Sequence, residues 1–273
     1  MTRVAVVIPV HDDGELAREA VASVQESEPV EVVVVDDGST DPATAAALAD
    51  LEREGVTVIR QANAGPGAAR MTGVRATSAP YVLPLDSDDH LEPGAAGALA
   101  DTLDAHPAAG FAWGDYVLFG EYEGRYRAPS DFLPWTLTYV NVYPITALVR
   151  RSALEQAGGW TDGGYEDWGL WLRFVELGID GVSGDRIVYR RRLHGGHRAG
   201  REYRRRHDEL YGALRERYAG AFAARPELAR RERPAIWKRA LYPVLFGARS
   251  VVPYRVEAWL QRTSMQRGLR LSR

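Results

Sequence analysis

Cysteine is absent from the chain of 273 residues, which excludes disulfide bonds and thiolate metal sites and is compatible with a reducing cytoplasm. Long apolar runs are missing too, since no stretch approaches the roughly 20 apolar residues of a transmembrane helix. The run Val4–Val10 is apolar but stops at His11, so we expect no signal peptide. The phosphate-loop pattern G-x-x-x-x-G-K-[ST] is also absent, which excludes a P-loop kinase or ATPase.

Charge is distributed unevenly along the chain, although the formal net charge is only -3. Residues 201–273 hold 18 Lys and Arg against 7 Asp and Glu, a net of +11, whereas residues 1–200 hold 16 against 30, a net of -14. The length allows one large α/β domain with an appendage, or two small domains. The sequence therefore predicts an acidic body followed by a basic tail.

Short β-branched runs alternate with amphipathic segments over the first hundred residues. The runs predict strands at Arg3–Pro9, Val30–Val35, Val56–Arg60 and Tyr81–Leu85. The segments between and after them predict helices at Glu15–Gln25, Ala43–Glu54, Gly65–Ala76 and Gly94–Ala105. Strands and helices in this alternation predict a doubly wound parallel sheet.

Acidic side chains follow three of these predicted strands, in the segments His11–Asp13, Asp36–Ser39 and Asp86–Asp89. Ligands of such sheets bind beyond the carboxyl ends of the strands. Carboxylates there suit the N–H and O–H donors of a nucleotide's base and ribose, but they suit phosphates only if a cation intervenes. The glycine-rich turn Asn63–Arg70 departs from a dinucleotide-binding loop, because Arg70 stands at the third glycine position. Arg70 could instead pair with a phosphate.

The segment Pro80–Pro93 carries the densest group of carboxylates. Ser87 separates Asp86 from Asp88, so in an extended segment these two side chains point the same way, with Asp89 beside them. Like charges this close require a cation or hydrogen-bond donors. Mg²⁺ and Mn²⁺ prefer such oxygen ligands together with the oxygens of a phosphate. The segment alone fits either a metal–diphosphate site or an acidic turn before a helix.

After Pro107 the pattern changes to antiparallel strands, which we expect at Phe111–Phe119, Tyr122–Arg127 and Tyr143–Arg150. A short helix is predicted at Ser152–Ala157 and a longer one from Glu166-Asp167 through Leu177, followed by a strand at Arg186–Arg192. Asp167 falls in the first turn of the longer helix, where the helix dipole alone favours a carboxylate. Trp168 and Trp171 share a face of that helix, which we assign to the core.

The basic tail is predicted to form helices at Arg201–Arg217 and Glu227–Phe246, the second broken at Pro234 and Pro243. Aromatic and aliphatic residues alternate with arginines there. This mixture suits either an anionic membrane surface or a helical tail that packs its apolar side on the body. No nucleic-acid-binding module is recognisable.

Five motifs in order resemble the family 2 glycosyltransferases, which have the GT-A fold. They are VVIPVHDD (Val6–Asp13), VVVVDDGSTD (Val32–Asp41), NAGPGAAR (Asn63–Arg70), LDSDD (Leu85–Asp89, the DXD motif) and YEDWGLWLR (Tyr165–Arg173), with His194–Arg198 after them. The resemblance implies an α/β fold with a Rossmann-like, mostly parallel sheet flanked by helices, a smaller antiparallel portion and a C-terminal helical extension. It assigns residues 1–106 to nucleotide-sugar binding, 107–200 to the acceptor and catalysis, and 201–273 to the basic extension.

The resemblance also implies roles for individual residues. The donor nucleotide would lie against Pro9, Asp36, Asp37, Arg70 and Asp86. Mn²⁺ or Mg²⁺ would be held by Asp88, Asp89 and His194. The catalytic base would be Asp167, with Glu166 assisting it. Met71 stands where relatives often carry asparagine, so this helix departs from the family pattern.

The function expected from this resemblance is inverting, metal-dependent hexosyl transfer from a nucleoside-diphosphate sugar, UDP-linked, to a hydroxyl group. The acceptor is expected to be a lipid-linked molecule, a cell-envelope glycan or a natural product. The protein is expected in the cytoplasm, bound peripherally to the inner face of the membrane. A sugar nucleotidyltransferase is disfavoured because the acidic segment His11–Gly14 stands where a triphosphate-binding loop would lie. A non-catalytic nucleotide-sugar or glycan-binding module is disfavoured by the intact Glu166-Asp167 pair. No nucleic-acid partner is expected.

Overall fold

The computed structural model describes residues 2–121, 123–161, 163–193 and 206–246. The strands in these residues are β1 (Val4–Val10), β2 (Glu31–Asp37), β3 (Thr57–Gln61), β4 (Tyr81–Pro84), β5 (His90–Leu91), β6 (Ala109–Gly120), β7 (Gly124–Tyr126), β8 (Leu148–Arg150) and β9 (Asp180–Leu193). The helices before the extension are α1 (Gly14–Ser23), α2 (Pro42–Arg53), α3 (Pro66–Arg75), α4 (Ala95–Ala105), α5 (Pro134–Leu137), α6 (Arg151–Ala157) and α7 (Glu166–Leu177). Those of the extension are α8 (His207–Arg217), α9 (Ala219–Ala223), α10 (Arg225–Glu232) and α11 (Ile236–Leu245).

The described strands form one mixed sheet in the order β3-β2-β1-β4-β8-β6-β9-β5, with β7 paired to β6. Strands β1 to β4 are mutually parallel, with β1 between β2 and β4. Strand β8 joins the two halves, because it pairs antiparallel with both β4 and β6. The α/β class, the parallel sheet and the smaller antiparallel portion are therefore confirmed. The parallel order brings the carboxyl ends of β2, β1 and β4 to one edge.

Two apolar cores cover the two faces of the sheet. Val4, Val6 and Ile8 of β1 face the core shared with α1, α2 and α4, whereas Val7 faces the core shared with α3 and α7. This alternation follows the two-residue period of a strand, and burial on both faces explains why β1 is apolar throughout. Trp171 is fully buried and stacks on Phe111 with a ring-centroid distance of 4.6 Å, so its predicted core role is confirmed.

Two element boundaries differ from the expectation. The strand predicted at Tyr143–Arg150 is paired only over Leu148–Arg150. Its first residues bond instead to side chains and loops, since Asn141 accepts from the Tyr143 N–H and the Tyr143 hydroxyl donates to the Asp131 carbonyl. The second tail helix is interrupted before Pro234, as expected, but Pro243 lies inside α11.

The described part of the extension packs against the second half of the sheet domain. Tyr211, Leu214 and Tyr218 are buried in the same core as α7. The Tyr211 hydroxyl donates to the Thr138 carbonyl at 2.7 Å, and Arg225 Nε donates to Thr138 Oγ1 at 2.9 Å. Helix α8 and the start of α10 are thus bound to the segment that follows α5.

No helix in residues 2–121, 123–161, 163–193 and 206–246 is both long enough and apolar enough to cross a membrane. Helix α11 nevertheless leaves large apolar side chains in solvent. Their exposed fractions are 87% for Ile236, 48% for Trp237, 46% for Leu241 and 60% for Val244. The opposite side of α11 is buried, because Tyr242 stacks on Trp135 of α5 at 5.6 Å.

Candidate active site

The loops after β1 and β2 are tied together by one carboxylate. Asp12 Oδ1 accepts from the backbone N–H groups of Thr40 and Asp41 at 2.7 and 2.9 Å. These bonds, the one from Asp41 foremost, lower the pKa of Asp12. Asp12 reaches this position with φ +58°, and its own N–H donates to Ser39. The strand ends that border the candidate donor site are therefore fixed to each other by hydrogen bonds between their loops.

Asp37, at the end of β2, fixes the loop that leads into α3. Its carboxylate is buried and accepts from Gln61 Nε2 at 2.7 Å and from the backbone N–H groups of Ala64 and Gly65 at 2.9 Å each. Gly38 packs closely here, since an added Cβ would lie 2.6 Å from the Asn63 nitrogen, and its φ is +73°. The tight turn expected at Gly38 is thus observed.

Asp36 and Pro9 lie at the same edge. Asp36 is buried and accepts from the Ser39 N–H at 2.9 Å. Pro9 sits in β1 in register with Val35, one position before Asp36. The structure thus brings Pro9, Asp36 and Asp37 together at the carboxyl ends of adjacent strands. Their contact with a nucleotide stays a prediction.

Three carboxylates cluster directly after β4. Asp86, Asp88 and Asp89 each offer an oxygen, and these oxygens lie within 4.8 Å of one another. Asp89 is 3% exposed and accepts from the Arg192 N–H at 2.9 Å. Burial, then the charges of Asp86 and Asp88, raise the pKa of Asp89 well above its usual value. A divalent cation would relieve this repulsion, so the residues fit Mg²⁺ or Mn²⁺.

Arg70 links this cluster to the start of α7. The side chain is almost fully buried, and its Nη2 donates to Asp86 at 2.7 Å while its Nη1 donates to Glu166 at 3.1 Å. Burial lowers the pKa of Arg70, but attraction to Asp86 and Glu166 outweighs it and the net shift is upward. Its Nε is buried without a hydrogen-bond partner in the described residues. Arg70 therefore contacts acidic side chains rather than open solvent.

Asp167 lies in the first turn of α7, beside Glu166. Its Oδ1 accepts from the Trp168 N–H at 2.7 Å, and its Oδ2 accepts from Asn141 Nδ2 at 2.8 Å. The carboxyl is half-buried, and desolvation followed by the charge of Glu166 raises the pKa of Asp167 to about 6. A carboxylate that is ionised at neutral pH but has a raised proton affinity suits a general base.

The structure brings most of the predicted site residues together and adds one. Arg70, Asp86 and Glu166 form one ion-pair chain, and Asp167 lies close enough to Asp86 and Arg70 to feel their charges. His194 lies outside the described residues. Asn141 was not predicted, because it precedes its partner by 26 residues and stands in no motif. Only the three-dimensional contact identifies it.

The family of this chain follows from a match that covers more than half of it. Residues 5–158 match the model of the family described as glycosyl transferase family 2. The chain belongs to glycosyl transferase family 2. The family predicted from the motifs is therefore confirmed.

Curated relatives of this family 2 glycosyltransferase match over shorter segments. The succinoglycan biosynthesis protein ExoW of Rhizobium meliloti (strain 1021) is 46% identical over 96 residues, which are 33% of this chain and 30% of ExoW. The glycosyltransferase GlyA of Streptococcus pneumoniae serotype 4 is 34% identical over 128 residues, which are 45% of this chain and 18% of GlyA. The chain thus spans less than a third of these two relatives.

Solved structures of other proteins resemble the fold over most of this chain. A structure of TarS from S. aureus in complex with UDP has a TM-score of 0.61 and 17% identity, covering 94% of this chain and 83% of that one. A mannosyltransferase from Pyrobaculum calidifontis in complex with GDP-Man and Mn²⁺ has a TM-score of 0.60 and 18% identity, covering 96% and 79%. At this identity the likeness shows the fold, which is the GT-A fold expected from the sequence.

Proposed function

We propose that this glycosyltransferase is an inverting, metal-dependent enzyme that moves a hexose from a nucleoside-diphosphate sugar to a hydroxyl acceptor. One observation carries the proposal: the buried Arg70 joins the Asp86–Asp89 cluster to the first turn of α7, where Asp167 stands. A metal-type site and a carboxylate of raised pKa thus belong to one connected group of side chains. Metal-dependent inverting transfer uses both functions, a cation for the leaving group and a base for the acceptor hydroxyl.

The donor would bind along the carboxyl ends of β1, β2 and β4. Pro9, Asp36 and Asp37 would border the base and Asp86 the ribose, while Arg70 helps to fix Asp86. A UDP-linked donor is supported by TarS, whose structures contain UDP and UDP-GlcNAc. The mannosyltransferase instead contains GDP-Man, so the nucleotide is the first property to test.

The cation would be held by Asp88 and Asp89, together with His194. When bound, it would offset the negative charge that develops on the nucleoside diphosphate as it leaves. The Mn²⁺ in the mannosyltransferase structure supports this assignment. Asp88→Ala is expected to abolish Mn²⁺-dependent donor binding. If this variant kept the wild-type gain in donor affinity on addition of Mn²⁺, the metal assignment would be contradicted.

Asp167 would accept the proton of the acceptor hydroxyl while the acceptor oxygen bonds to the anomeric carbon. The bond from that carbon to the diphosphate oxygen breaks on the opposite face, and the bonding electrons leave with the nucleoside diphosphate. Glu166 shares Arg70 with Asp86. We therefore give the proton transfer to Asp167 and a supporting, electrostatic role to Glu166.

The first experiment is a thermal-shift panel of UDP-, GDP- and dTDP-sugars, each with Mn²⁺ and with EDTA. We expect one nucleotide class to raise the melting temperature in a Mn²⁺-dependent manner, because ligands that bind the native state stabilise it. Release of nucleoside diphosphate from that donor then separates an enzyme from a non-catalytic binding module. A donor that binds but is never turned over, with water or with any acceptor, would contradict the enzymatic proposal.

The acceptor is proposed to be a lipid-linked or cell-envelope glycan, presented at an anionic membrane surface. The relative ExoW is named for succinoglycan biosynthesis, which supports a polysaccharide product. Helix α11 exposes Ile236, Trp237 and Leu241, and the sequence from residue 201 carries a net charge of +11. Apolar side chains in a cationic segment favour peripheral binding to anionic lipid.

Liposome co-sedimentation tests the membrane proposal. Vesicles with 30% phosphatidylserine should retain the chain in low salt and release it in 0.5 M NaCl, because exposed charges are then screened. Trp237→Ser and Leu241→Ser should weaken retention, because both side chains are exposed. Leu228→Ser is not a suitable control, because Leu228 is buried and its substitution would disturb the core. Binding that is the same on neutral vesicles would remove this proposal.

A further inference from the structure

The side chain of Asn141 donates one hydrogen bond to the proposed base, Asp167, and the orientation of the Asn141 amide is fixed. Its Nδ2 donates to Asp167 Oδ2 at 2.8 Å, and its Oδ1 accepts from the Tyr143 N–H at 3.1 Å. If the amide were flipped, its oxygen would face the Asp167 carboxylate and its NH₂ group would face the Tyr143 N–H. Neither pair could form a hydrogen bond, so the amide adopts only the observed orientation. Asn141 therefore presents a donor, and never an acceptor, to the carboxylate.

We infer that Asn141 is a positioning residue that holds the carboxylate of Asp167 in the direction needed to accept a proton. The inference rests on the proposed role of Asp167 as the base. The other oxygen of Asp167 is bound by the Trp168 N–H at 2.7 Å. With one donor on each oxygen, the plane of the carboxylate is fixed, and its remaining lone pairs are the ones available to an acceptor hydroxyl.

The segment around Asn141 is itself held from both sides. On the C-terminal side, the hydroxyl of buried Tyr143 bonds to the Leu133 N–H and the Asp131 carbonyl, each at 2.8 Å. On the N-terminal side, Trp168 Nε1 donates to the Leu137 carbonyl at 2.7 Å. The amide of Asn141 thus belongs to a rigid frame, which is the condition for positioning another side chain.

The charge environment of Asp167 makes this donor chemically important. Burial, then the charges of Glu166 and Asp86, disfavour its ionised form, whereas the Trp168 N–H and Arg70 favour it. A hydrogen bond donated to a carboxylate also favours the ionised form. Without Asn141 we expect the base to hold its proton at higher pH and to lose its fixed direction.

Two substitutions test the inference by release of nucleoside diphosphate from the donor that the thermal-shift panel identifies, with Mn²⁺ and water as acceptor. Asn141→Leu removes the donor at similar volume, and Asn141→Asp keeps the acceptor for Tyr143 but places a like charge beside Asp167. We expect kcat to fall by on the order of 10- to 100-fold and its acidic limb to move up by at least about one pH unit. The shift should be larger for Asn141→Asp, and donor KM should change little.

Gln156→Leu is the matched control, because it removes an exposed amide on α6, and Gln156 is not one of the site residues. It should leave both kcat and the acidic limb unchanged. If Asn141→Leu fails to fold, the nearly isosteric Asn141→Asp decides alone. An acidic limb at the wild-type pH in Asn141→Asp would overturn the inference, even if kcat were lower. Near-normal turnover by Asp167→Asn would instead overturn the proposed function, so the two failures are distinguishable.

Discussion

The two halves of the sheet hold their acidic side chains in different ways. In the first half, Asp12 and Asp37 accept backbone N–H groups from neighbouring loops. In the second half, Asp167 is held by the side chain of Asn141 in addition to the adjacent Trp168 N–H, and its neighbour Glu166 is held by the side chain of Arg70. The carboxylates of the candidate donor pocket are therefore held mainly by backbone donors of neighbouring loops, whereas the candidate base and its neighbour depend on side-chain donors.

This difference predicts that substitutions in the two halves have different consequences. Backbone donors remain when a single side chain is replaced, so the donor pocket should tolerate changes around it. Side-chain donors disappear with the residue that carries them. We therefore expect catalysis to depend strongly on the side-chain contacts around Asp167, and the predictions below run from the largest expected effect to the smallest.

Asp167→Asn should produce the largest loss, because it removes the proposed base and preserves the shape. Turnover should fall by about 10²- to 10⁴-fold, with donor binding in the thermal-shift assay unchanged. In the wild type, kcat should decline below pH 6, since the pKa of Asp167 is raised to about 6. A variant that keeps more than a tenth of wild-type turnover would remove Asp167 from the base role.

Arg70→Met should give the largest loss of stability, because it leaves Asp86 and Glu166 without their shared cation. Breaking a buried ion pair from one side typically costs about 3 kcal/mol or more. Urea unfolding at pH 7.5 measures this change. Arg60→Met is the control, because Arg60 pairs with Glu52 at 2.7 Å on the surface, where we expect little change. Equal losses in both variants would contradict the structural importance of Arg70.

The same Asp167→Asn variant should be more stable than the wild type at neutral pH. The folded-state pKa of Asp167 is raised, so its stabilising contribution is complete below about pH 4 and is lost as the pH rises through 6. Removing the charge should therefore add on the order of 2 kcal/mol to the free energy of unfolding at pH 7.5, and almost nothing at pH 4.

Asp185→Asn is the control for that stability difference, because Asp185 is exposed on β9. It should show no such dependence on pH. A gain for Asp167→Asn that is as large at pH 4 as at pH 7.5 would mean that the raised pKa is not its cause. A loss at every pH would mean that the carboxylate stabilises the native fold.

The parallel half could be predicted from the sequence because its signals are local. β-branched runs mark β1 and β2, Asp41-Pro42 starts α2, and Asp86–Asp89 follows β4 directly. Asp41 indeed accepts from the N–H groups of Ala43 and Thr44. In such segments, the structure of each residue depends on neighbours within a few positions, so a short stretch of sequence is enough to predict it.

The rest of the site could not be predicted in this way. Arg70 and Glu166 are 96 residues apart, and Arg225 and Thr138 are 87 apart. The segment before β8 has the apolar pattern of a strand, but Asn141 and Tyr143 divert it into side-chain hydrogen bonds. A hydrophobicity pattern predicts which residues are buried, but it does not predict which buried polar groups form hydrogen bonds or ion pairs with each other.

The smallest predicted effect tests whether the extension supports the catalytic half. Tyr211→Phe removes the bond to the Thr138 carbonyl at 2.7 Å and the acceptor for Arg225 at 2.9 Å. The free energy of unfolding should fall by about 1 kcal/mol. Because Thr138 lies three residues before Asn141, kcat should fall as well, while the donor dissociation constant stays the same.

Tyr139→Phe is the matched control for Tyr211→Phe. Tyr139 is buried in the same interface, and its ring lies 3.9 Å from the Arg225 guanidinium carbon, a contact that phenylalanine preserves. Within the described ranges, no hydrogen bond of its hydroxyl is lost by the substitution. If Tyr211→Phe lowers stability more than Tyr139→Phe but leaves kcat unchanged, the extension only stabilises the fold. If kcat falls together with stability, the contacts that position the proposed base extend from Thr138 to Tyr211 of α8 and Arg225 of α10.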